Sequence, residues 1–390
     1  MKILHLTVGH VPFDDRIFYK ESIALAGSHE VILLAYSRDG LLKTMGGDVR
    51  ESGVYSNVKV DVFTGKFSGR YLARLERAFG LTQRLLSKLK ELDFVPDVIH
   101  CHEPESLRLA VAVKKHFNPN LKIIYDVHEF FFGYSFDKIP KYLSDIHFAY
   151  IRRSQKKLFK DVEATISVNE IVRSFNVVLN PNIQHLTVPN GYILPGDARR
   201  NDVEEEKFVL VHEGSLGFNR GLKFMLDIFQ DGWVRANCKL KIVGHLKGKE
   251  SDYFQELVQQ DPDLGQSVEI TGWIDYEKLG EFLYGSIGLI MMEPTVNNLL
   301  AGPPNKLFNY AWAGMPICSF DIPATSKYIN DYGLGVVVAR TQISFIQGIR
   351  EIVENYPEFN SRVVAAREEL SFKSHLSVIS GLYNKLDRKP

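Results

Sequence analysis

Short runs of apolar, mostly β-branched residues alternate along the chain with stretches of helical periodicity. The first half contains "KILHLTV", "EVILLAY", "DVIHC", "LKIIYDV" and "ATISV", and the second half contains "KFVLVHEG", "LKIVGH", "VEITGW" and "IGLIMME". Continuous apolar runs of this length, separated by helices, are typical of parallel strands that are buried on both faces. The pattern therefore predicts an α/β protein, with a parallel sheet in each half.

The length of 390 residues exceeds one ordinary hydrophobic core, so two domains are expected. The segment 191–207, "GYILPGDARRNDVEEEK", combines glycine, proline and a charge cluster, which is typical of a linker between domains. We place an N-terminal domain at 1–195, a C-terminal domain at 205–370, and a final helix at 371–390.

The composition excludes several classes of protein. Lys plus Arg equals Asp plus Glu at 47 each, so no overall field attracts nucleic acid. Cys101, Cys238 and Cys318 lie in apolar runs, which favours buried thiols over a disulfide or a metal site and fits a reducing cytoplasm. The opening "MKILHLTV" is too short for a signal peptide, and no apolar run approaches 18 residues, so we expect a cytoplasmic protein.

The loops that follow the first-half strands carry candidate ligand contacts, because parallel sheets bind ligands beyond their carboxyl ends. Gly9 allows a close backbone approach, and Asp14 or Asp15 can cap a helix that runs to about Ala26. His128 and Glu129 follow "LKIIYDV", where a histidine can donate to a sugar hydroxyl or a developing oxyanion. The same edge holds other polar residues, but they form no convincing zinc ligand set: His100, His102 and Glu103.

Two segments of the second half predict a phosphate site. Gly214 ends a strand and Arg220 opens a helix, and a helix start with a guanidinium favours an anion. In "AGPPNKLFNYAWAGMP", Asn305 can cap the helix that follows two prolines, and Lys306 lies in its first turn. A lysine there opposes the helix dipole unless an anion shares the site, and Asn309, one turn along, can reach an adjoining ribose.

Five segments in order resemble the family 4 glycosyltransferases of the GT-B fold: "DDRIFYKESIALAG", "YDVHEF", "EGSLGFNRGL", "VEITGWIDYEKL" and "PPNKLFNYAWAGMPI". The resemblance covers nearly the whole chain. It implies two facing Rossmann-like domains with parallel sheets. It also implies that the C-terminal helix, residues 371–390, crosses back to the N-terminal domain.

The members of this family are retaining enzymes that use no metal and take a sugar from a nucleotide diphosphate donor. The resemblance implies three catalytic residues: Arg220 and Lys306 would neutralise the departing diphosphate, and His128 would sit beside the donor sugar. No cofactor is expected. The other implied contacts divide into a donor side, with Gly9, Gly214, Trp273, Ile274, Asn305, Leu307 and Asn309, and an acceptor or sugar side, with Asp15 and Glu129.

The chain departs from the family pattern at the donor site. The family commonly has two glutamates eight positions apart where Ala301 and Asn309 stand, and often a basic residue in place of Ser215. An amide can also hydrogen-bond a ribose hydroxyl, and Glu293 is a candidate to supply the missing carboxylate.

The segment 69–92 has leucines at helical spacing with six basic residues around them, and "RRSQKKLFK" at 152–160 is a second basic cluster. Such a stripe is usually a core face, but it also fits contact with an anionic membrane. The leading hypothesis is a retaining glycosyltransferase of cell-surface polysaccharide synthesis with a glycan or lipid-linked acceptor. Two alternatives remain: a sugar-nucleotide epimerase, for which no acid–base carboxylate pair is visible, and a non-catalytic nucleotide-sugar-binding protein.

Overall fold

The computed structural model describes residues 1–65, 80–128, 130, 140–194, 207–214, 216–217, 220–246, 248–300 and 302–387. The chain divides into two compact units, one formed by Met1–Pro189 with His375–Pro390 and the other by Asn190–Ser374. The domain limits drawn from the sequence, 195/205 and 370/371, lie close to these boundaries. Residues 195–206 of the predicted linker lie outside the described residues.

Within the described part of the first unit, eight strands form one sheet in the order β10-β9-β8-β7-β1-β2-β6-β5. All neighbouring strands are parallel except β5 and β6. The strands are β1 Lys2–Thr7, β2 Glu30–Ser37, β5 Gly53–Tyr55, β6 Val58–Thr64, β7 Val98–Cys101, β8 Lys122–Val127, β9 Ala164–Ser167 and β10 Gln184–Thr187, with the short antiparallel pair β3 Leu42–Lys43 and β4 Val49–Arg50 apart from the sheet. The direction of strand addition reverses between β1 and β7, so the loops after these two strands start from the switch point.

The helices of the first unit cover this sheet. The helix after β1 begins as a π-helix, Asp15–Ser22, and continues as Ile23–Ala26. Asp14 caps it by accepting from the N–H groups of Arg16 and Ile17, so Asp14 rather than Asp15 is the cap. The others are Thr82–Glu91, Pro104–His116, Lys141–Leu158, the 3₁₀ turn Phe159–Asp161, Glu170–Leu179 and Leu376–Asp387.

The leucine stripe of 69–92 is described only in its second part, because residues 66–79 lie outside the described residues. In the helix Thr82–Glu91 the two leucines of the stripe, Leu86 and Leu89, are buried, and so is the neighbouring Leu85. This part of the stripe is therefore a core face, and its leucines are not available to a membrane.

Six parallel strands form the sheet of the second unit within its described residues, in the order β13-β12-β11-β14-β15-β16. They are β11 Phe208–Glu213, β12 Cys238–Val243, β13 Val268–Ile270, β14 Ile287–Ile290, β15 Ile317–Phe320 and β16 Gly335–Val338. Its helices are Leu222–Ile228, Gly232–Asn237, Lys249–Gln260, Pro262–Ser267, Tyr276–Phe282, Val296–Leu300, Asn305–Ala313, Pro323–Tyr332, Gln342–Glu354 and Tyr356–Leu370, and the 3₁₀ turn Phe372–His375 follows them.

The prediction of an α/β fold with parallel sheets is confirmed. Apolar side chains of the central strands are fully buried in both units, as the continuous apolar runs require. Cys101, Cys238 and Cys318 are buried free thiols. No helix among the described residues is long and apolar enough to span a lipid bilayer.

Candidate functional site

The helix Asn305–Ala313 starts one residue earlier than the sequence indicates. Pro304, with φ −68° and ψ 153°, occupies the non-helical cap position and supplies no side-chain cap. Asn305 is the first helical residue, so its predicted role as the cap is wrong. Within the described part of the chain its Oδ1 is buried and has no hydrogen-bond partner.

Lys306 lies in the first turn of this helix and is partly buried. Its Nζ is 3.4 Å from Nε2 of His212, a residue of β11. Burial lowers the pKa of Lys306 to about 8, while the Glu213 carboxylate raises it and the Arg220 guanidinium lowers it. The two cations predicted for the diphosphate, Lys306 and Arg220, therefore interact electrostatically.

Glu213 is the last residue of β11 and lies between the helix and the strand end. Its N–H donates to the Tyr310 hydroxyl at 2.8 Å, and its Oε1 accepts from Nδ2 of Asn309 at 2.9 Å. Asn309 is only 2% exposed, so its amide holds a protein carboxylate instead of projecting to a ligand as expected. Sequence reasoning missed Glu213, although a polar residue at the end of a buried strand is the signal that identified His128.

The predicted substitute carboxylate, Glu293, has another partner. Its Oε2 lies 2.6 Å from Nη2 of Arg340 in an ion pair at the protein surface. Ala301 and Ser215, the other positions of departure from the family pattern, lie outside the described residues.

The loop after β11 is shaped by glycines. Gly214 has a φ of 93°, a conformation that favours glycine, and its N–H donates to the Val243 carbonyl at 2.8 Å. Gly221, with φ 87°, precedes the helix Leu222–Ile228. Arg220, directly before it, is exposed at the helix start, where the helix dipole favours a bound anion.

The remaining predicted donor contacts differ in accessibility. Trp273 and Ile274 follow β13 and are partly buried, and the Trp273 ring centroid lies 5.1 Å from that of His245. Leu307 is fully buried and its N–H donates to the Pro304 carbonyl at 3.0 Å. The prediction that Leu307 contacts the donor is therefore wrong, because its side chain belongs to the core.

In the first unit, the Glu103 carboxylate occupies the turn of Gly9, which was predicted to contact the donor. Its carboxylate accepts from the N–H groups of Val8 at 3.2 Å and Gly9 at 3.1 Å, and from the Thr7 hydroxyl. The Gly9 N–H thus already has the Glu103 carboxylate as its partner, so in this arrangement it is not available to bind the donor.

His128 follows β8 and belongs to a chain of imidazoles. Its Nε2 lies 3.1 Å from Oδ2 of Asp126 and 3.1 Å from Nδ1 of His102. Nε2 of His102 lies in turn 3.1 Å from Nδ1 of His5. The His128 side chain is 9% exposed, so a buried carboxylate orients it and only a small part of the ring can meet a ligand.

Beneath these histidines, Arg16 is paired with two buried acids. Its Nε and Nη2 donate to the two oxygens of Asp126 at 2.9 and 3.2 Å, and its Nε lies 3.1 Å from Oε1 of Glu21. Burial would raise the pKa of Asp126, but the Arg16 charge holds it well below its usual value. Burial and the Asp126 charge raise the pKa of Glu21 well above its usual value. Around the single guanidinium, the ionised form is therefore favoured for Asp126 and the neutral form for Glu21.

The same group offers ligand atoms of metal-binding type. One atom each from Glu21, His100, His102 and Asp126 lies within 4.8 Å of the others. However, Arg16 already binds both Asp126 oxygens and a protonated Glu21 is a poor ligand, so the donor set fits an ion-pair network better than a metal centre.

The acceptor-side predictions have mixed outcomes. Asp15 forms an ion pair with Nζ of Lys20 at 2.9 Å. Glu129 lies outside the described residues. His10, which the sequence reasoning did not single out, has its Nδ1 3.0 Å from Oδ2 of Asp14, and its ring centroid lies 5.1 Å from that of His128.

Comparison with known proteins connects this geometry to a family. Residues 197–369 match the family described as Glycosyl transferases group 1. Among solved structures, sucrose-phosphate synthase from Thermosynechococcus elongatus has a TM-score of 0.70 at 14% identity, over 99% of this chain and 98% of its own. Anabaena HepE in complex with UDP has a TM-score of 0.65 at 15% identity, over 99% and 100% of the two chains. No curated protein sequence matches this chain.

A third structure, WaaG, is described as a glycosyltransferase involved in lipopolysaccharide biosynthesis. Its TM-score is 0.63 at 15% identity, over 98% of this chain and 100% of its own. At such identities the structural likeness establishes the fold, and the match over 197–369 covers most of the unit that contains Lys306 and Arg220. The chain therefore has the GT-B fold, and its residues 197–369 match the family of the group 1 glycosyl transferases.

Proposed function

We propose that this glycosyltransferase moves a sugar from a nucleoside diphosphate sugar to a glycan or lipid-linked acceptor. Transfer retains the anomeric configuration, needs no metal, and serves the synthesis of a cell-surface polysaccharide. The observation that carries the proposal is Lys306, a partly buried ammonium at a helix start, coupled to the charges of Glu213 and Arg220.

The chemistry requires stabilisation of a departing anion. The bond between the anomeric carbon and the phosphate oxygen breaks, the acceptor oxygen forms the new bond to that carbon, and the acceptor's hydroxyl proton is released. The nucleoside diphosphate leaves with the additional charge. The Lys306 ammonium, the Arg220 guanidinium and the first N–H groups of the helix Asn305–Ala313 supply positive potential for that charge. These positive groups take the place of the divalent cation that stabilises a departing phosphate in metal-dependent enzymes.

Uridine nucleotides are the first donors to test. The similar Anabaena protein HepE is described in complex with UDP, with UDP and glucose, and with UDP-glucose. In this chain, the segment from Trp273 to Asp275 is proposed to hold the base. The carboxylate of Glu213, positioned by Asn309, is proposed to accept a hydrogen bond from a ribose hydroxyl of the donor.

In the first unit, His128 and Asp15 are the residues proposed for the sugar and the acceptor. His128 is oriented by Asp126 and can donate to a sugar hydroxyl, and Asp15 remains a candidate at the same sheet edge. The retaining outcome and the surface-glycan acceptor rest on the resemblance of the five motifs. We propose a cytoplasmic location with peripheral contact to an anionic membrane surface.

Replacement of Lys306 tests the proposal. Lys306→Ala should abolish transfer and hydrolysis of UDP-glucose, and should remove the rise in melting temperature that UDP gives the parent protein by binding its native state. Lys327→Ala is the matched control, since Lys327 is an exposed lysine on the helix Pro323–Tyr332 of the same unit. Unchanged turnover in a folded Lys306→Ala protein would refute the assignment.

If UDP raises the melting temperature but neither UDP-glucose nor another nucleoside diphosphate sugar is turned over, the donor pocket is right and the transfer reaction is wrong, which leaves a non-catalytic nucleotide-sugar-binding protein. If no nucleoside diphosphate has any effect on the melting temperature, the diphosphate role of Lys306 is wrong.

A further inference from the structure

The helix Lys141–Leu158 exposes an apolar stripe. Tyr142 is 80% exposed, Ile146 is 67% exposed and Tyr150 is 65% exposed. Their four-residue spacing places them one turn apart on a single face of the helix. Three large apolar side chains in a row, each more than half exposed, are unusual for a helix that covers a sheet.

The opposite side of the same helix is used for packing. Ser144 and Gln155 are buried on it, and the helix contacts Pro104–His116 and Glu170–Leu179. The stripe is therefore not the core face of the helix, and the fold of the unit leaves it on the surface.

Basic residues continue the stripe. Arg153 follows Tyr150 by three positions and Lys157 follows by four more, so both lie on the face of Tyr142 and Ile146, and both are exposed. The segment 141–160 contains six basic residues and one acidic residue, Asp145. One face thus combines an apolar half near the start of the helix with a cationic half near its end.

We propose that this face, formed by Tyr142, Ile146, Tyr150, Arg153 and Lys157, binds the surface of an anionic lipid bilayer. Tyrosine rings favour the boundary between headgroups and acyl chains, because one end of the ring is apolar and the other is polar. Exposed Lys and Arg side chains beside them gain from the negative surface potential of the membrane. An apolar stripe continued by cations on one helix face is the pattern of a helix that lies in the interface.

The inference deepens the peripheral location proposed above and assigns it a surface. That surface is distinct from the buried leucines of Thr82–Glu91. It also gives a role to the basic cluster 152–160. Because vesicle binding is measured without donor or acceptor, its failure would leave the proposed transfer reaction intact.

The test is co-sedimentation of the whole protein with lipid vesicles. The protein should sediment with vesicles of phosphatidylcholine and phosphatidylglycerol in equal parts and stay in solution with phosphatidylcholine alone. The triple variant Tyr142→Ser, Ile146→Ser, Tyr150→Ser should lose binding to the anionic vesicles. The double variant Arg153→Glu, Lys157→Glu should weaken it by roughly fivefold or more for each basic residue.

Two substitutions outside the face serve as matched controls. Val178→Ser removes an apolar residue that is 61% exposed on the helix Glu170–Leu179, and Lys115→Glu reverses an exposed charge on Pro104–His116. Both should bind vesicles as the parent protein does, and circular dichroism should show that every variant is folded.

Three results would overturn the proposal: equal binding to neutral and anionic vesicles, parent-like binding by both variants of the face, or loss of binding in the controls. A further result would replace it with a protein interface. If the parent protein is a dimer by light scattering and the triple variant is a monomer, the face pairs with a second copy.

Discussion

Nδ2 of Asn309 donates a hydrogen bond of 2.9 Å to Oε1 of Glu213, and this contact ties the helix Asn305–Ala313 to the end of β11. The Glu213 charge raises the pKa of Lys306, against the lowering effect of burial. Asn309 thus acts on the proposed diphosphate site through a carboxylate that comes from another element. This relationship leads to two predictions about donor binding.

The first prediction concerns Glu213. In Glu213→Gln the new amide oxygen can still accept from Asn309, but the negative charge beside Lys306 is lost. The pKa of Lys306 should fall below about 8, so UDP affinity should begin to weaken at a lower pH than in the parent protein. Titration calorimetry with UDP at a series of pH values between 6 and 9 measures the shift.

Glu293→Gln is the matched control for that experiment. Glu293 also follows a strand, β14, but its carboxylate pairs with Arg340 at the surface. Its replacement should leave the pH dependence of UDP binding unchanged. Equal shifts in the two variants would mean that Glu213 does not act through Lys306.

The second prediction is that the affinity for UDP falls at alkaline pH, which gives the plot of affinity against pH an alkaline limb. Because the pKa of Lys306 is lowered to about 8, the ammonium loses its proton as the pH rises through that value, and binding a diphosphate must then restore it. The dissociation constant of UDP should rise above pH 8, by up to about tenfold per pH unit. Lys306→Arg keeps its charge in this range and should remove the limb. A limb of the same size in Lys306→Arg would assign the titration to another group.

The fold was predictable because its main signal is local. Apolar runs such as "KIIYDV" and "ILLAY" identify buried strands wherever the chain carries them, since a parallel strand must be apolar on both faces. Boundaries were less certain. Asp14 rather than Asp15 caps the first helix, because two adjacent aspartates look equivalent in sequence. Pro304 occupies the cap position before the helix of Lys306 without a side chain that can cap, so the capping preference of Asn305 gave the wrong start.

The partnerships at the candidate site were not predictable, because they join residues that are distant along the chain. Arg16 and Asp126 are 110 positions apart, and Asn309 and Glu213 are 96 positions apart. Sequence reasoning placed polar groups at the correct sheet edges, but no periodicity indicates which of them meet. Leu307 shows the opposite error, in which a residue beside a motif was assigned its function although it belongs to the core.

The third prediction tests the charge state of the buried acids. Burial and Asp126 raise the pKa of Glu21, which favours its neutral form, and glutamine is a close neutral substitute. Glu21→Gln should change the unfolding free energy by less than about 1 kcal/mol. Asp126→Asn removes the carboxylate that accepts two hydrogen bonds from the buried Arg16 guanidinium. It should cost more than Glu21→Gln, up to about 3–5 kcal/mol, because Glu21 takes over only part of the pairing with Arg16. Urea denaturation at pH 7 compares them, and equal losses would show that Glu21 is ionised.

The fourth prediction concerns stability in acid. His5, His100 and His102 are buried, and burial lowers the pKa of each, that of His100 to about 4. In the unfolded chain these histidines take up protons near pH 6.5, whereas in the folded protein they stay neutral. The unfolding free energy therefore has its full value above pH 6.5 and falls as the pH drops toward 4. Each histidine contributes up to about 1.4 kcal/mol per pH unit.

Glu21 opposes this loss, since its raised pKa keeps a proton in the folded state that the unfolded chain releases above its ordinary pKa of 4.5. Urea denaturation between pH 7 and 4.5 is therefore best done in Glu21→Gln, where that contribution is absent. Adding His100→Gln should reduce the slope of the unfolding free energy against pH by the contribution of one proton. Adding His116→Gln, at an exposed histidine of Pro104–His116, should leave that slope unchanged. A slope that is the same in both double variants would mean that His100 takes up its proton in the folded protein as readily as in the unfolded chain.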